Sequence, residues 1–465
     1  MDGYRDRQLR DEPVAATASD LKGAVREGGP FRTRGTIWAI VLIALLARLA
    51  VIAADTGYVP QQDAWDYDRH ARSIAEGDGF PPSYYAADGG PSALRAPGYP
   101  YFLGFVYSFT DKSVTAGRIA NALLGALAVW LIYLMVRRLW GARPALVAAA
   151  IAAVFPPLVL LSRDLLSESL FIALELGTVL CVIEYRRRRD LRWAAAAGLL
   201  GGLAALTRNP GPALAIPVLV GLWVFRPRLS RRALTAPALA LAVMVLAVLP
   251  WTIRNAVEFD TFVPITSGTG FAMAGTYNEL SYRDEAHPAS WRTPRIVPED
   301  AGLFRKRGID EATLDAELRH NATSFASDHP GYVLKVTGWD LVRMFEIAGG
   351  SVVGLHGEEV NIRGVGSADL TSERIGLAIV GLLALIGIGA MIATRGSPAA
   401  VRVRPGPVFF WLVPIFLLLV SAPINGLPRQ RIPIDPFLIT LAALGAVWAW
   451  DRLVVRSGAD RLAPV

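Results

Sequence analysis

Apolar stretches long enough to cross a bilayer recur along this sequence, and short arginine clusters stand between them. A helix crossing about 30 Å of hydrocarbon needs roughly 20 apolar residues. Candidate segments begin near Ile37, Ile119, Ala145, Leu165, Trp193, Ala213, Ala233, Ile375, Val408 and Pro433. Lipid cannot satisfy backbone N–H and C=O groups, so each such segment must satisfy its own, as a helix does. With 53% hydrophobic and 19% charged residues, the chain is too apolar for a soluble multidomain enzyme. The reading is an all-α polytopic membrane protein with about ten transmembrane helices, within a range of about nine to twelve. The fifth and sixth segments are short and rich in Gly and Pro, as in a tilted or broken hairpin.

The formal charge of +7 does not point to nucleic acid, because the basic residues form short clusters between apolar runs rather than one patch. These clusters are the tail before Ile37, Arg137-Arg138 with Arg143, Arg186 to Arg189 with Arg192, Arg226 to Arg232, Arg395 to Arg404, and Arg452 with Arg456. They fall on alternate connections. Short-loop arginines mark the cytoplasmic face, so both termini are expected on the cytoplasmic side of a cell (plasma or inner) membrane, which the chain crosses several times. Residues 1–35 are polar and read as a disordered cytoplasmic tail, not a signal peptide. Residues 36–254 read as an N-terminal transmembrane core that includes a first outer loop over 55–118. Residues 255–374 read as an extracytoplasmic subdomain, and 375–465 as C-terminal transmembrane helices with a short tail. Helical spacing within the subdomain appears around Thr313 to Phe325. Cys181, the single cysteine, excludes an intrachain disulfide and a cysteine-rich metal site.

The charged residues that invite a chemical reading lie at the outer ends of the spans. In Gln61-Gln62-Asp63-Ala64-Trp65-Asp66-Tyr67-Asp68-Arg69-His70-Ala71, the positions Ala64, Tyr67, Ala71 and Ile74 share one helical face. Asp63 and Asp66, three apart, share another, with Asp63 near the helix start, where a carboxylate is stabilised. Pairing of Asp66 or Asp68 with Arg69 or Arg72 is the plainer reading. Downstream, Arg95-Ala96-Pro97-Gly98-Tyr99-Pro100 holds a guanidinium on a turn near the bilayer surface, as a phosphate clamp or a snorkelling arginine. In Ser162-Arg163-Asp164-Leu165-Leu166-Ser167-Glu168, the two acids stand one helical turn apart. Glu168 at the mouth of an apolar segment is either functional or paired with Arg163 or Arg208. Arg48 and Glu175 sit deeper and read as structural. Arg208, Arg254, Arg429 and Arg431 fall on outer connections, where a phosphate or an acidic side chain would suit their planar forks.

Taken together, these pieces resemble the GT-C glycosyltransferases of the protein O-mannosyltransferase and lipid A aminoarabinose-transferase type. The resemblance runs over nearly the whole chain. It takes in Asp63 with Tyr67, a small-residue helix ending Gly77-Asp78-Gly79-Phe80, Arg95-x-Pro-Gly-Tyr-Pro, and Arg118 with Asn121. It continues through Leu166-Ser167-Glu168-Ser169-Leu170-Phe171, Thr207-Arg208-Asn209-Pro210, Pro250-Trp251-Thr252-Ile253-Arg254-Asn255, and Arg429-x-Arg431-Ile-Pro-Ile-x-Pro. It implies an inverting transfer on the extracytoplasmic face, from a polyprenyl-phosphate sugar to a hydroxyl on a glycan, lipid or protein of the cell envelope.

In that scheme Asp63 is the general base or orients the acceptor, and Arg95 contacts the donor phosphate. Asp164 or Glu168 supplies the second acidic residue, and Asp66 completes the catalytic set. Arg208, Arg254, Arg429 and Arg431 are further phosphate-binding candidates, and Tyr67, Tyr99 and Asn255 are substrate-binding candidates. Many relatives carry a second acid directly after the first-loop aspartate, where this chain has Ala64. No cofactor is implied with certainty. A divalent metal near Asp63, Asp66 and Glu168 suits their chemistry, yet the spacing establishes no site. Two other readings compete: a transporter or flippase of a lipid-linked or envelope precursor, and a non-catalytic scaffold in which Asp63, Arg95 and Glu168 would not converge.

Overall fold

The computed structural model describes residues 30–225, 229–347, 352–353, 367–395 and 403–460. Most of the expected tail over 1–35 lies outside these, as do Arg226 to Arg228 and residues 396–402 of two basic clusters. All ten candidate segments are helical. The longer elements are α1 (Pro30–Ala54), α2 (Gln62–Glu76), α3 (Gly98–Ser108), α4 (Val114–Trp140), α5 (Ala142–Val154), α6 (Glu168–Arg188) and α7 (Leu191–Ala205). They continue as α8 (Ala215–Leu222), α9 (Arg231–Phe259), α10 (Glu311–Asp328), α11 (Pro330–Met344), α12 (Ser367–Ala393), α13 (Val408–Ser421) and α14 (Asp435–Asp460). The described strands are two-residue pieces, Trp291–Arg292 beside Val352–Val353 in parallel.

Five helices are long and apolar enough to cross a membrane, or six if a bent pair counts as one span. That pair, Ala142–Val154 and Pro156–Arg163, turns by 56°. Phe155 is the hinge, because a residue before proline is pushed out of the helical region, and Phe155 has φ −66° and ψ 115°. Two of the remaining apolar helices, Leu191–Ala205 and Gly211–Leu222, are the short pair expected from their Gly and Pro content. α6 is not among the five because its 21 residues carry Glu168, Glu175, Glu184 and Arg186 to Arg188.

Polar groups inside the bundle are handled individually. Arg48 on α1 donates to the carbonyls of Ala44 (2.9 Å) and Ala153 (3.3 Å), so backbone rather than an acid receives it. Both oxygens of buried Glu175 lack a partner among the described residues. Helices pack through small side chains: α7 lies against α9 with Gly198 on the Ala240 backbone, and α12 lies against α14. Such close approach replaces the hydrophobic drive that lipid removes.

Three signals set the ends of α2, α4 and α10. α2 ends at Gly77, whose φ of 93° is the left-handed conformation that glycine adopts without strain. There the Asp78 N–H reaches the Ser73 carbonyl at 3.0 Å and closes the turn. Ser113 caps α4 by accepting from the Ala116 N–H, and Asp310 caps α10 by accepting from the Thr313 N–H at 2.7 Å. α10 covers the Thr313 to Phe325 stretch and, with α11, encloses a separate small core of Tyr277, Phe304, Leu314, Leu318 and Tyr332.

Beside that core, Asp315 accepts a hydrogen bond from the Phe271 N–H at 3.1 Å and lies 3.9 Å from Arg319. Burial pushes its carboxyl up to about 7, the backbone N–H groups of Phe271 and Gly270 and the Arg319 charge resist the rise, and Glu311 adds to it. A folded-state value above the unfolded one means stability is fully present in acid and is lost as pH rises from about 4 towards 7. Asp315→Asn keeps the acceptor without the charge. It is expected to match wild type near pH 3.5 and to melt a few degrees higher at pH 8, as thermal unfolding at the two pH values will show.

Candidate active site

A cavity of about 600 Å³ opens between the first outer loop, the end of α7 and the segment before α14. Asp63 stands at its wall. Arg95 donates from Nη2 to Asp63 Oδ1 at 2.6 Å, and Arg429 donates to Asp63 Oδ2. One carboxylate therefore bridges two guanidinium groups that are 334 residues apart in the chain (429 − 95). Burial alone would raise the Asp63 carboxyl; the Arg429 and Arg95 charges overcome it and hold the group well below the usual carboxylate range.

Arg95 is itself fixed from behind. Its Nε donates to Asp66 Oδ2 at 2.7 Å, and its guanidinium lies 5.1 Å from the Tyr67 ring centroid. Asp66 is buried and also accepts from Arg69 at 3.2 Å, while the His70 ring nitrogen lies 3.2 Å from its Oδ1. Burial opposes its charge, but Arg95 and His70 win, so this carboxyl too sits well below its usual range.

A second layer holds Arg208. It donates to Gln430 Oε1 at 2.6 Å and to Ser167 Oγ at 3.3 Å, and it is ion-paired with the fully buried Glu168. The Tyr67 hydroxyl donates to the same Ser167 Oγ at 3.2 Å. Across the cavity stands an aromatic wall of Tyr84, Tyr85, Phe271 and Trp291, with Arg295 lying over the Tyr85 ring.

Two backbone devices bring the Arg95 and Arg208 motifs together. The Gly98 N–H donates to the Leu206 carbonyl at 2.6 Å, and a Cβ on Gly98 would sit 2.9 Å from that oxygen and 2.7 Å from Thr207 Oγ1. Only glycine allows this approach. Gly98→Val is expected to leave the protein in the membrane but to cut the transfer that the resemblance implies at least about tenfold, because overpacking a close contact costs about 1–3 kcal/mol and shifts backbone. Initial rates at matched expression check it. The other device is Glu311 at the start of α10, which is buried. It accepts from Ser83 (2.5 Å), Ser92 (2.9 Å), Ser267 (2.6 Å) and the Ala93 N–H (2.8 Å). That carboxylate ties the start of α10 to the loop leading into Arg95.

The candidates divide accordingly. Asp63, Tyr67, Arg95, Arg208 and Arg429 line the cavity. Asp66 and Glu168 are not among the lining residues; each pairs with an arginine that is, Asp66 with Arg95 and Glu168 with Arg208. Asp164 lies away from the cavity, with its carbonyl accepting from the Asn121 amide at 2.9 Å. Arg254 does not reach the cavity either: it donates to the Ser92 carbonyl at 2.9 Å and stacks over Trp251. Arg431 is buried against Asp435 (2.9 Å), Glu346 (3.1 Å) and the Met344 carbonyl. Tyr99 is buried, receives the Asn121 amide at 2.9 Å and packs edge-on against Tyr67. The Asn255 amide donates to the Val263 and Ile265 carbonyls. In all four a protein partner takes the side chain. Tyr84, Tyr85, Trp291 and Glu311 carry no motif that sequence reasoning could have separated from ordinary loop residues, while Ser167 and Gln430 lie inside the motifs of the resemblance but do not stand out beside their charged neighbours.

Among the described residues, no three His, Cys, Asp or Glu side chains cluster to hold a metal ion. Both oxygens of Asp63 face guanidinium groups, a donor set that does not fit a divalent cation as arranged.

Residues 94–253 match a family model described as dolichyl-phosphate-mannose-protein mannosyltransferase. No curated protein matches the sequence. Among solved structures, the oligosaccharyltransferase AglB from Archaeoglobus fulgidus, in complex with an inhibitory peptide and a dolichol-phosphate, aligns at TM-score 0.54 and 14% identity. It covers 94% of this chain and 52% of that one. The apo form of the Archaeoglobus fulgidus oligosaccharyltransferase gives 0.55 and 13% over 93% and 52%. ArnT from Cupriavidus metallidurans bound to undecaprenyl phosphate gives 0.41 and 15% over 89% and 78%. The chain thus spans about half the length of the oligosaccharyltransferases it matches, and at these identities the likeness is one of fold. The resemblance to GT-C glycosyltransferases is thereby shown, by the mannosyltransferase family model over residues 94–253 and by the membrane fold shared with the archaeal oligosaccharyltransferase over nearly the whole chain.

Proposed function

We propose that the chain is an integral-membrane glycosyltransferase that takes a sugar from a polyprenyl-phosphate donor and passes it, with inversion, to an acceptor hydroxyl on the extracytoplasmic face. The observation that carries this reading is one carboxylate, Asp63, in a cavity whose other charged lining groups are arginines. The acceptor oxygen attacks the sugar C1 while its proton passes to an Asp63 oxygen. The bond between C1 and the phosphate oxygen breaks on the opposite side. A donor phosphodiester of charge −1 leaves as a polyprenyl phosphate of charge −2, and Asp63 goes from −1 to neutral, so the total is unchanged. Arg95, Arg208 and Arg429 face the charge that grows on the leaving phosphate, which lets the reaction proceed without a protonating acid.

The division of the outer regions at 55–118 and 255–374 fits this reading. Both supply cavity wall: Tyr84, Tyr85 and Arg95 from the first, Phe271 and Trp291 from the second. Sidedness is supported by charge. α4 and α6 run from the cavity end to the Arg137-Arg138 and Arg186 to Arg188 clusters, and arginine clusters mark the cytoplasmic side. The scaffold reading predicted that Asp63, Arg95 and Glu168 would not converge, whereas Asp63, Arg95 and Arg208 line one cavity and Glu168 is ion-paired to Arg208 behind its wall. A transporter would place its ionisable groups near mid-membrane, whereas these stand at helix ends.

Radiolabel from a panel of polyprenyl-phosphate sugars, followed into membrane acceptors, tests the proposal and identifies both sugar and acceptor class. Label transferred by wild type supports it. If folded protein consumed no donor in the panel, the transferase reading would be wrong.

A further inference from the structure

We propose that Asp63 and the donor phosphate compete for the same two guanidinium groups, those of Arg95 and Arg429, so that arrival of the lipid phosphate is what frees the general base. This rests on the transferase reading above.

The geometry poses the problem that the exchange solves. Asp63 is the natural base, yet each of its oxygens is occupied by a guanidinium. A carboxylate in that state accepts a proton poorly, because the two positive charges stabilise its ionised form. The donor phosphate, for its part, needs guanidinium donors. Near Asp63 the guanidinium ends that face the cavity are Arg95 Nη2 and Arg429 Nη2, and Asp63 holds both, whereas Arg295 stands on the aromatic wall over the Tyr85 ring and donates to the Tyr84 carbonyl. Arg208 is already committed to Glu168, Gln430 and Ser167.

The two arginines are built for a swap of partner rather than for departure. Arg95 keeps its Nε on Asp66 at 2.7 Å, so only its Nη2 end must turn from one acceptor to another. The Nε of Arg429 is buried and has no hydrogen-bond partner. A phosphodiester with two free oxygens can use that donor, whereas Asp63 reaches only the Nη2 end. Asp63, Arg95 and Arg429 side chains are 23%, 17% and 13% exposed, so all three can be reached from the cavity. The exchange is also balanced in charge, since a phosphodiester of −1 takes the place of a carboxylate of −1. The acceptor hydroxyl is then activated only when a donor is in place.

Competition is reciprocal, and that yields a test. If Asp63 weakens phosphate binding, removing its charge must strengthen it, even though the same substitution slows transfer. Binding of undecaprenyl phosphate to the purified full chain in lipid nanodiscs is measured for wild type, Asp63→Asn, Asp63→Ser and Arg429→Gln, each checked for folding by thermal unfolding. The expected result is binding about tenfold tighter for both Asp63 variants and at least about tenfold weaker for Arg429→Gln. The serine variant carries the test if asparagine fails to fold. Wild-type binding with equal or weaker binding by a folded Asp63 variant overturns the exchange and leaves the donor reading intact. Absence of binding by every folded form overturns the donor reading and the exchange together.

Discussion

Asp63→Asn is expected to lower the transfer rate by about 10² to 10⁴-fold, the range associated with loss of a general base. Asparagine preserves size and one acceptor oxygen, so the change isolates the carboxylate. The loss should appear in kcat and not only in KM, because an acceptor oxygen that keeps its proton is a poor nucleophile even when well placed. The substitution also removes the charge that both Arg95 and Arg429 face, and this has a pH signature. A carboxyl held below its ordinary range contributes stability that is present above the unfolded value near pH 4 and is lost only as pH falls through the depressed folded value. The variant should therefore melt below wild type at pH 7, and the gap should close only in strong acid. Initial rates with a labelled polyprenyl-phosphate sugar, read beside thermal unfolding at pH 7 and pH 4, separate the chemical effect from the structural one. Near wild-type kcat in a folded Asp63→Asn protein would remove Asp63 from the base role.

How far the sequence could lead depends on what each signal measures. Span-length apolar runs locate helices because lipid leaves the backbone no other solution, and every expected segment is helical. The number that cross is harder to read, since a proline-induced bend at Phe155 and the acids of α6 both interrupt what hydropathy alone would join. The same limit applies to the site. Asp63, Tyr67, Arg95, Arg208 and Arg429 were legible as candidates because an acid and several arginines at the ends of apolar segments are costly there without partners. Which partner each would find was not legible. Arg431 finds Glu346, 85 residues away, and Arg254 finds the Ser92 carbonyl, 162 residues away. Local spacing says nothing about such distances. Glu311, whose carboxylate gathers Ser83, Ser92, Ala93 and Ser267, has only the appearance of an acid in the first turn of a capped helix.

Arg95→Lys is expected to reduce transfer nearly as much as Arg95→Ala, by about 10² to 10³-fold, although it keeps the positive charge. The reason lies in how the wild-type side chain is used. One edge of the guanidinium, at Nε, is spent on Asp66, while Nη2 reaches Asp63, and the flat face stays near the Tyr67 ring. A lysine has one compact ammonium. It can sit on Asp66, leaving Asp63 with Arg429 alone, or on Asp63, leaving Asp66 buried beside Arg69 and His70 without its strongest partner. Breaking a buried pair by removing one side costs about 3–5 kcal/mol because the remaining charge stays uncompensated. The two variants should therefore differ in stability more than in rate, with lysine the better folded and alanine the worse. A charge-only role for Arg95 predicts the opposite, with lysine restoring most of the activity, so comparing kcat, KM and melting temperature for the pair decides whether the fork or merely the charge is required.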